Sequence, residues 1–186
     1  MTTTAYRSRY PLLAASAGER PLADVELTVT LEVPTFHGHS ELTVRPGVVD
    51  DAAIELYGYG ECAVLARAMH LRTGWPLALV ETVERIYRWA HVGVLTPAGQ
   101  LLDIHGSRSL DQVVADYAHE HGLRVTTCPL PTLDLLFDVI GEREETRRGW
   151  IDGSAIAPLT AELAGVFADL LIAQAQAAEI SEAVSC

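Results

Sequence analysis

The run Gly60-Glu61-Cys62-Ala63-Val64-Leu65-Ala66-Arg67-Ala68-Met69-His70-Leu71-Arg72-Thr73-Gly74-Trp75-Pro76 decides how the chain is read. Cys62, Leu65, Ala66 and Met69 fall at i, i+3, i+4 and i+7, the spacing of one buried helix face, and Gly74 offers a left-handed stop. A helix is therefore predicted over 61–73. Just upstream, Tyr57-Gly58-Tyr59-Gly60 reads as a glycine-rich turn, after a short helix begun by Asp50 and Asp51 and reaching Leu56. Cys62 thus stands at a helix N-terminus, where unpaired backbone N–H groups and the positive end of the helix dipole favour an anion. The anionic thiolate is the form of cysteine that attacks.

Downstream of this helix the period changes from helical to extended. Strands are predicted over 77–83, 86–95 and 100–104, the last two joined by the turn Thr96-Pro97-Ala98-Gly99. Ser109 and Gln112 form a capping box that opens a helix closing at Gly122, and 123–128 reads as a further strand. Residues 129–141 have no decisive pattern, and 142–148 read as a charged, exposed helical segment. A long alanine-rich helix is predicted over 158–178, with Leu163, Val166, Phe167, Leu170 and Leu171 on its apolar face.

Upstream, Val25, Leu27, Val29, Leu31 and Val33 alternate with polar residues as a half-buried strand does, and 41–45 is a plausible return strand after the turn at His37-Gly38-His39-Ser40. Residues 1–22 carry Pro11, Gly18 and Pro21 without a period and read as a loose lead-in. The mixed order gives the class α+β: a nucleophile helix packed on an antiparallel sheet, with a long C-terminal helix. No repeat or linker divides residues 1–186, so a single domain is expected.

Composition narrows the function classes. The chain has 186 residues, 49% hydrophobic, with a net charge of −12, and its mean hydropathy is +0.18. Such a balance argues against nucleic acid or an anionic membrane surface as partner, since both call for clustered Lys and Arg. No signal peptide and no membrane-spanning window is read, and Cys62, Cys128 and Cys186 are too scattered for a disulfide framework. A cytoplasmic setting is the expectation, with Cys128 a buried, inert thiol.

The chemistry comes from three residues. His91 heads one predicted strand and Asp103 lies on the next. A histidine can take and return the nucleophile's proton, and a carboxylate can orient that histidine. Backbone N–H groups at the helix start can hold an oxyanion, with Tyr57 or Tyr59 as a candidate side-chain donor. Trp89 and His105 are candidate substrate contacts. Cys62, His91, Asp103 and His105 are also zinc-ligand types, although their spacing lacks the close pairs of zinc motifs.

The segment 60–76, with its Gly-x-Cys start and Gly-hydrophobic-Pro end, resembles the nucleophile segment of the transglutaminase-like superfamily. His91-Val92-Gly93-Val94 and Gly99-Gln100-Leu101-Leu102-Asp103 look like that family's histidine strand, turn and aspartate strand. The resemblance covers 48–106 and implies a papain-like core of a compact bacterial or phage-type member, with Cys62 as nucleophile, His91 as general base and acid, and Asp103 as its orienter. It departs from the family in a short span between Cys62 and His91 and in Asp103-Ile104-His105-Gly106 where Asp-Pro is usual. The expected activity is that of a cysteine-dependent hydrolase, deamidase or acyltransferase. It acts on a peptide, protein or small amide or acyl substrate through a thioester, with no cofactor and no resident metal. The alternatives are a non-catalytic binding or assembly protein of the same fold and, behind it, a zinc protein.

Overall fold

A computed structural model describes residues 7–83, 89–140 and 144–184. In chain order the elements are α1 (Pro11–Ala17), β1 (Leu27–Thr30), β2 (Glu41–Val44), α2 (Asp51–Tyr59) and α3 (Cys62–Thr73). Then come β3 (Leu77–Thr82), β4 (His91–Leu95), β5 (Leu101–Asp103), β6 (Gly106–Arg108), α4 (Leu110–His121) and β7 (Val125–Leu130). The chain closes with α5 (Leu133–Ile140), α6 (Arg147–Asp152) and α7 (Pro158–Val184), and short 3-10 turns lie at Leu22–Asp24 and Glu144–Thr146.

Five strands form one antiparallel sheet in the order β6-β5-β4-β3-β7. Strand alternation divides its side chains between two apolar clusters. Leu77, Leu79, Val92, Val94 and Leu102 join the large cluster built on α3 and α7, whereas Ala78, Val80 and Leu101 meet Val113 of α4 and Val125 in a smaller one. The mixed α+β class and the long C-terminal helix follow expectation.

The helix at the centre is α3. The predicted face Cys62, Leu65, Ala66 and Met69 is buried, but so are Val64, Arg67 and Ala68. The reason is tertiary: α3 lies between strand β4 on one side and α7 on the other. Arg67 is accommodated because its Nη2 donates to the Ile151 carbonyl at 2.8 Å. Gly74 ends the helix at φ +70, its N–H bonding the His70 carbonyl. Leu163, Phe167 and Leu171 of α7 are buried in the same cluster, and Val166 is buried with Tyr10 and Leu13.

Several expectations need correction. The lead-in is not loose: α1 forms there, because Tyr10 and Leu13 bury against Val166 and because Glu162 accepts hydrogen bonds from the Leu12 and Leu13 N–H groups at the helix start. The strand expected from Val25 to Val33 shortens to β1, which pairs only with β2, in a separate two-stranded ribbon. The glycine-rich turn is mostly helix, since α2 continues through Tyr57 and Gly58 to Tyr59 and leaves Gly60 and Glu61 as the connection. Gly58 is buried there, with the His105 ring 3.3 Å from where its Cβ would sit.

Residues 86–88 of the strand predicted over 86–95 lie outside the described residues, and β4 begins at His91. The strand predicted over 123–128 lies at Val125–Leu130 and includes Pro129, which an edge strand tolerates. Cys128 on it is half-buried rather than buried. The segment 129–141 holds α5, and part of 142–148 falls outside the described residues, while Trp150 on α6 is buried against Phe137. By length and composition Pro158–Ser181 of α7 is apolar enough to cross a membrane, with a mean hydropathy of 1.3, which no sequence window had suggested. In the fold one face of that helix is core.

Candidate functional site

His91 and Asp103 are brought together by strand register. Leu95 pairs with Leu101 across β4 and β5, so His91, Gly93, Leu95, Leu101 and Asp103 all point to one face. His91 Nε2 lies 3.0 Å from Asp103 Oδ2, and the two side chains are 2% and 1% exposed. Gly93 between them is required by space: a Cβ there would stand 2.7 Å from the Leu102 carbonyl oxygen.

Asp103 accepts from more than His91. It ends β5, and Ile104 and His105 form a two-residue turn to Gly106, which takes φ +90. The turn aims the His105 N–H back at Asp103 Oδ1, 2.8 Å away. Across the hairpin Arg108 pairs with Leu101 and so shares the face of Asp103; its Nη2 donates to Asp103 Oδ2 at 2.6 Å and its Nη1 to Asp116 Oδ2 at 2.8 Å. Burial alone would raise the Asp103 pKa, but the bond and charge of His91, with Arg108 and His105, hold it down at about 2.

With Nε2 taken by Asp103, the imidazole keeps Nδ1 for another partner. Cys62 lies at the first position of α3, 3% exposed. Nδ1 makes no hydrogen bond of normal geometry, yet the sulfur is near enough to act on the ring by charge and by hydrogen bonding. Burial lowers the His91 pKa; the Cys62 charge, then the bonds to Asp103 and Cys62 and the Asp103 charge, outweigh it and raise the value to about 10. The ring is thereby disposed to hold a proton beside Asp103.

His91 and Asp103 of the predicted triad therefore meet directly, and Cys62 acts on the same ring. The four secondary candidates divide. Tyr57 is buried in the core with its ring 5.2 Å from Phe167; its hydroxyl has no hydrogen-bond partner among the described residues, and the charge that acts on it is Glu61. Tyr59 is half-buried, 4.4 Å from the His37 ring. Trp89 packs on the edge of the main core cluster. His105 lies over Gly58 at the surface, and partial burial, with Arg108 and His91 near, lowers its pKa against the opposing pull of Asp103.

Two residues that the sequence reading passed over belong here. Arg108 is one, and its only sequence signal is the turn Ile104-His105-Gly106, which fixes the hairpin register that sets it beside Asp103. The other is Tyr117 of α4: burial raises its pKa, and the charges of Cys62 and Asp103 raise it further. Nothing in the local sequence marks it.

Among the described residues no group of three or more His, Cys, Asp and Glu side chains is arranged to hold a metal ion, so the zinc alternative finds no site in the geometry. His37, half of the His37-Gly38-His39 pair, bonds Glu55 at 2.7 Å. Compared with family models, with curated proteins and with solved structures, the chain has no match.

The arrangement can do the following chemistry. A thiolate beside an imidazolium can attack a carbonyl carbon, while the first-turn N–H groups of α3 stabilise the oxyanion that forms. The imidazolium can then protonate the leaving group, and its neutral form can take a proton from the next nucleophile. Asp103 cannot drift during these steps, since three donors fix its two oxygens.

Proposed function

We propose that the protein is a cysteine-dependent enzyme acting on amide or acyl groups, of the transglutaminase-like, papain-like kind. The observation that carries this reading is the buried pair of His91 Nε2 with Asp103, with Cys62 at the start of α3 acting on the same ring. The Cys62 thiolate adds to the carbonyl carbon and the oxyanion forms. Collapse breaks the bond to the leaving amine or alkoxide, which takes its proton from His91, and leaves a thioester. Water or an amine then attacks the thioester, giving its proton to His91, and the Cys62 thiolate returns. Water makes the protein a hydrolase or deamidase; an amine makes it an acyltransferase.

A second reading, a non-catalytic binding protein of this fold, draws on the burial of both reacting groups at 3% and 2%. One experiment separates the two: incubation of the full chain with p-nitrophenyl acetate, followed by peptide mass spectrometry. The enzyme reading expects an acetyl group on Cys62 with release of nitrophenolate. Removal of the base in His91→Ala should slow that step by about 10²-fold. Acetylation of Cys62 no faster than that of the half-buried Cys128, or indifferent to His91→Ala, would leave the binding protein as the better reading.

A further inference from the structure

Four charged side chains stand in one line from the interior to the surface, and their signs alternate. His91 Nε2 lies 3.0 Å from Asp103 Oδ2, Arg108 Nη2 donates to that same oxygen at 2.6 Å, and Arg108 Nη1 donates to Asp116 Oδ2 at 2.8 Å. His91 and Asp103 are buried, Arg108 is 18% exposed and Asp116 24%, so the line meets water at its outer end.

Separate elements build the links. Hairpin register sets Arg108 of β6 opposite Leu101, and so on the face of Asp103. Helix α4 is opened by Ser109, whose hydroxyl accepts from the Gln112 N–H, and it covers that face through Val113, which packs with Leu101. Asp116 stands one turn beyond Gln112, whose side-chain amide donates to Asp116 Oδ1 at 2.5 Å. The guanidinium is a planar, rigid fork, and two carboxylates hold its two tips.

The other ionisable groups that act on these four are Cys62 of α3, Tyr59 of α2, His105 of the β5–β6 turn and Tyr117 of α4, while Glu120, further along α4, acts on His105 and Tyr59. Both tyrosines have raised pKa values and His105 a lowered one, so at neutral pH these three are uncharged. Among the described residues Arg108 is thus the cation that shares Asp103 with His91. Two cations on one oxygen lie within the ~4–6 Å over which one charge shifts the pKa of another, and a like charge favours the neutral form.

We propose that Arg108 is a positioning residue that acts on the reaction through Asp103: it shares the carboxylate with His91 and so eases the proton off the imidazolium, while Asp116 anchors Arg108 and draws part of its charge outward. The proposal rests on the reading of His91 as acid and base to a Cys62 nucleophile. An imidazolium that holds its proton too firmly is a poor acid toward a leaving group, and Arg108 is the counterweight.

The test is a pH titration of the imidazole nitrogens by NMR on the full chain, with His91→Gln identifying the His91 signals among those of seven histidines. Every form also carries Cys62→Ser, which removes the thiolate charge, so the ring titrates on Asp103 and Arg108 whether or not Cys62 is a nucleophile. Arg108→Gln should raise the His91 pKa by about one unit, and Arg108→Lys should leave it near the value of the parent form. Asp116→Asn, one charge further out and partly in water, should lower it by about half a unit. A peg that merely held Asp103 in place would give the opposite sign in Arg108→Gln, since a carboxylate that swings off the ring takes its charge with it.

A fall or no change in Arg108→Gln overturns the proposal. So does an unmoved pKa in Asp116→Asn, a substitution near the surface that reads the same line even where Arg108→Gln fails to fold. A Cys62 that iodoacetamide labels no faster than Cys128, in the chain with its thiol intact, would overturn the nucleophile instead. That outcome is told apart because the ring titration does not involve the thiol.

Discussion

Replacing Asp103 by asparagine keeps the shape of the side chain and removes its charge. In the fold Oδ2 accepts from His91 and Arg108 at 3.0 and 2.6 Å and Oδ1 accepts from the His105 N–H at 2.8 Å. An asparagine has one oxygen to offer and turns an N–H₂ group toward donors, leaving two cationic partners facing a neutral amide. Two routes give the size of the loss. The carboxyl pKa falls from its ordinary value of 3.8 to about 2. At ~1.4 kcal/mol per unit, that makes the ionised form responsible for roughly 2–3 kcal/mol of stability. Breaking a buried pair by removing one member costs ~3–5 kcal/mol, here toward the lower end because Arg108 keeps Asp116.

The expectation for Asp103→Asn is therefore a loss of about 3 kcal/mol at pH 7, read by urea denaturation, or roughly 6–12 °C in Tm for a chain of this size. The sign of the pH dependence is fixed by a depressed pKa. The contribution is present above 3.8, lost as pH falls through about 2, and so the gap between the two proteins narrows by about a third at pH 3. A loss below about 0.5 kcal/mol at pH 7, or a gap as wide at pH 3 as at pH 7, would refute the claim that Asp103 is held as a charge between His91 and Arg108.

Gly93→Ala should cost about 1–3 kcal/mol, because its Cβ meets the Leu102 carbonyl oxygen at 2.7 Å and Leu101 Cδ1 at 2.9 Å; an unchanged Tm would mean that the strands are free to part there. Tyr57→Phe should stabilise the fold by about 1 kcal/mol, since it removes a buried hydroxyl without a partner, and a measurable loss in denaturation would show that the hydroxyl is bonded. His91 has a raised pKa, so its stabilising contribution is whole below 6.5 and disappears as pH rises through about 10. The stability difference between the unsubstituted protein and His91→Gln should accordingly shrink between pH 6 and pH 10 in parallel urea titrations, and a constant difference would count against the imidazolium–carboxylate pair of His91 and Asp103.

The central helix, four of the five strands and the His91–Asp103 pair could be read from the chain because each depends on local rules. The spacing of Cys62, Leu65, Ala66 and Met69 gives a buried face whatever the partner, and His91 and Asp103 need only a strand, a turn and a strand to meet. What escaped the sequence depends on contacts remote in the chain. Helix α1 is held by Glu162 and by Val166, which no pattern within residues 1–22 discloses. Gly58 was read as a helix breaker, yet it lies within α2, where His105 of the β5–β6 turn takes the space of a side chain. Arg108 and Tyr117 enter the site through hairpin register and helix packing, and Tyr117 lies on a helix whose own apolar cluster is not the one that contains Cys62.

The straps between the two ends of the fold have a consequence for its assembly in time. Arg9 and Tyr10 both bond Asp169, the Leu12 and Leu13 N–H groups bond Glu162, and Arg72, at the far end of the nucleophile helix, bonds Asp169 as well. Partners about 150 positions apart cannot meet on a ribosome until residues 158–184 have been synthesised, and closing so long a loop slows folding. Until then one flank of α3 is bare and the first helix has no cap. Residues 158–184 are thus needed before α3 gains its flanking helix, so a nascent or truncated polypeptide carries Cys62 on a helix without that support.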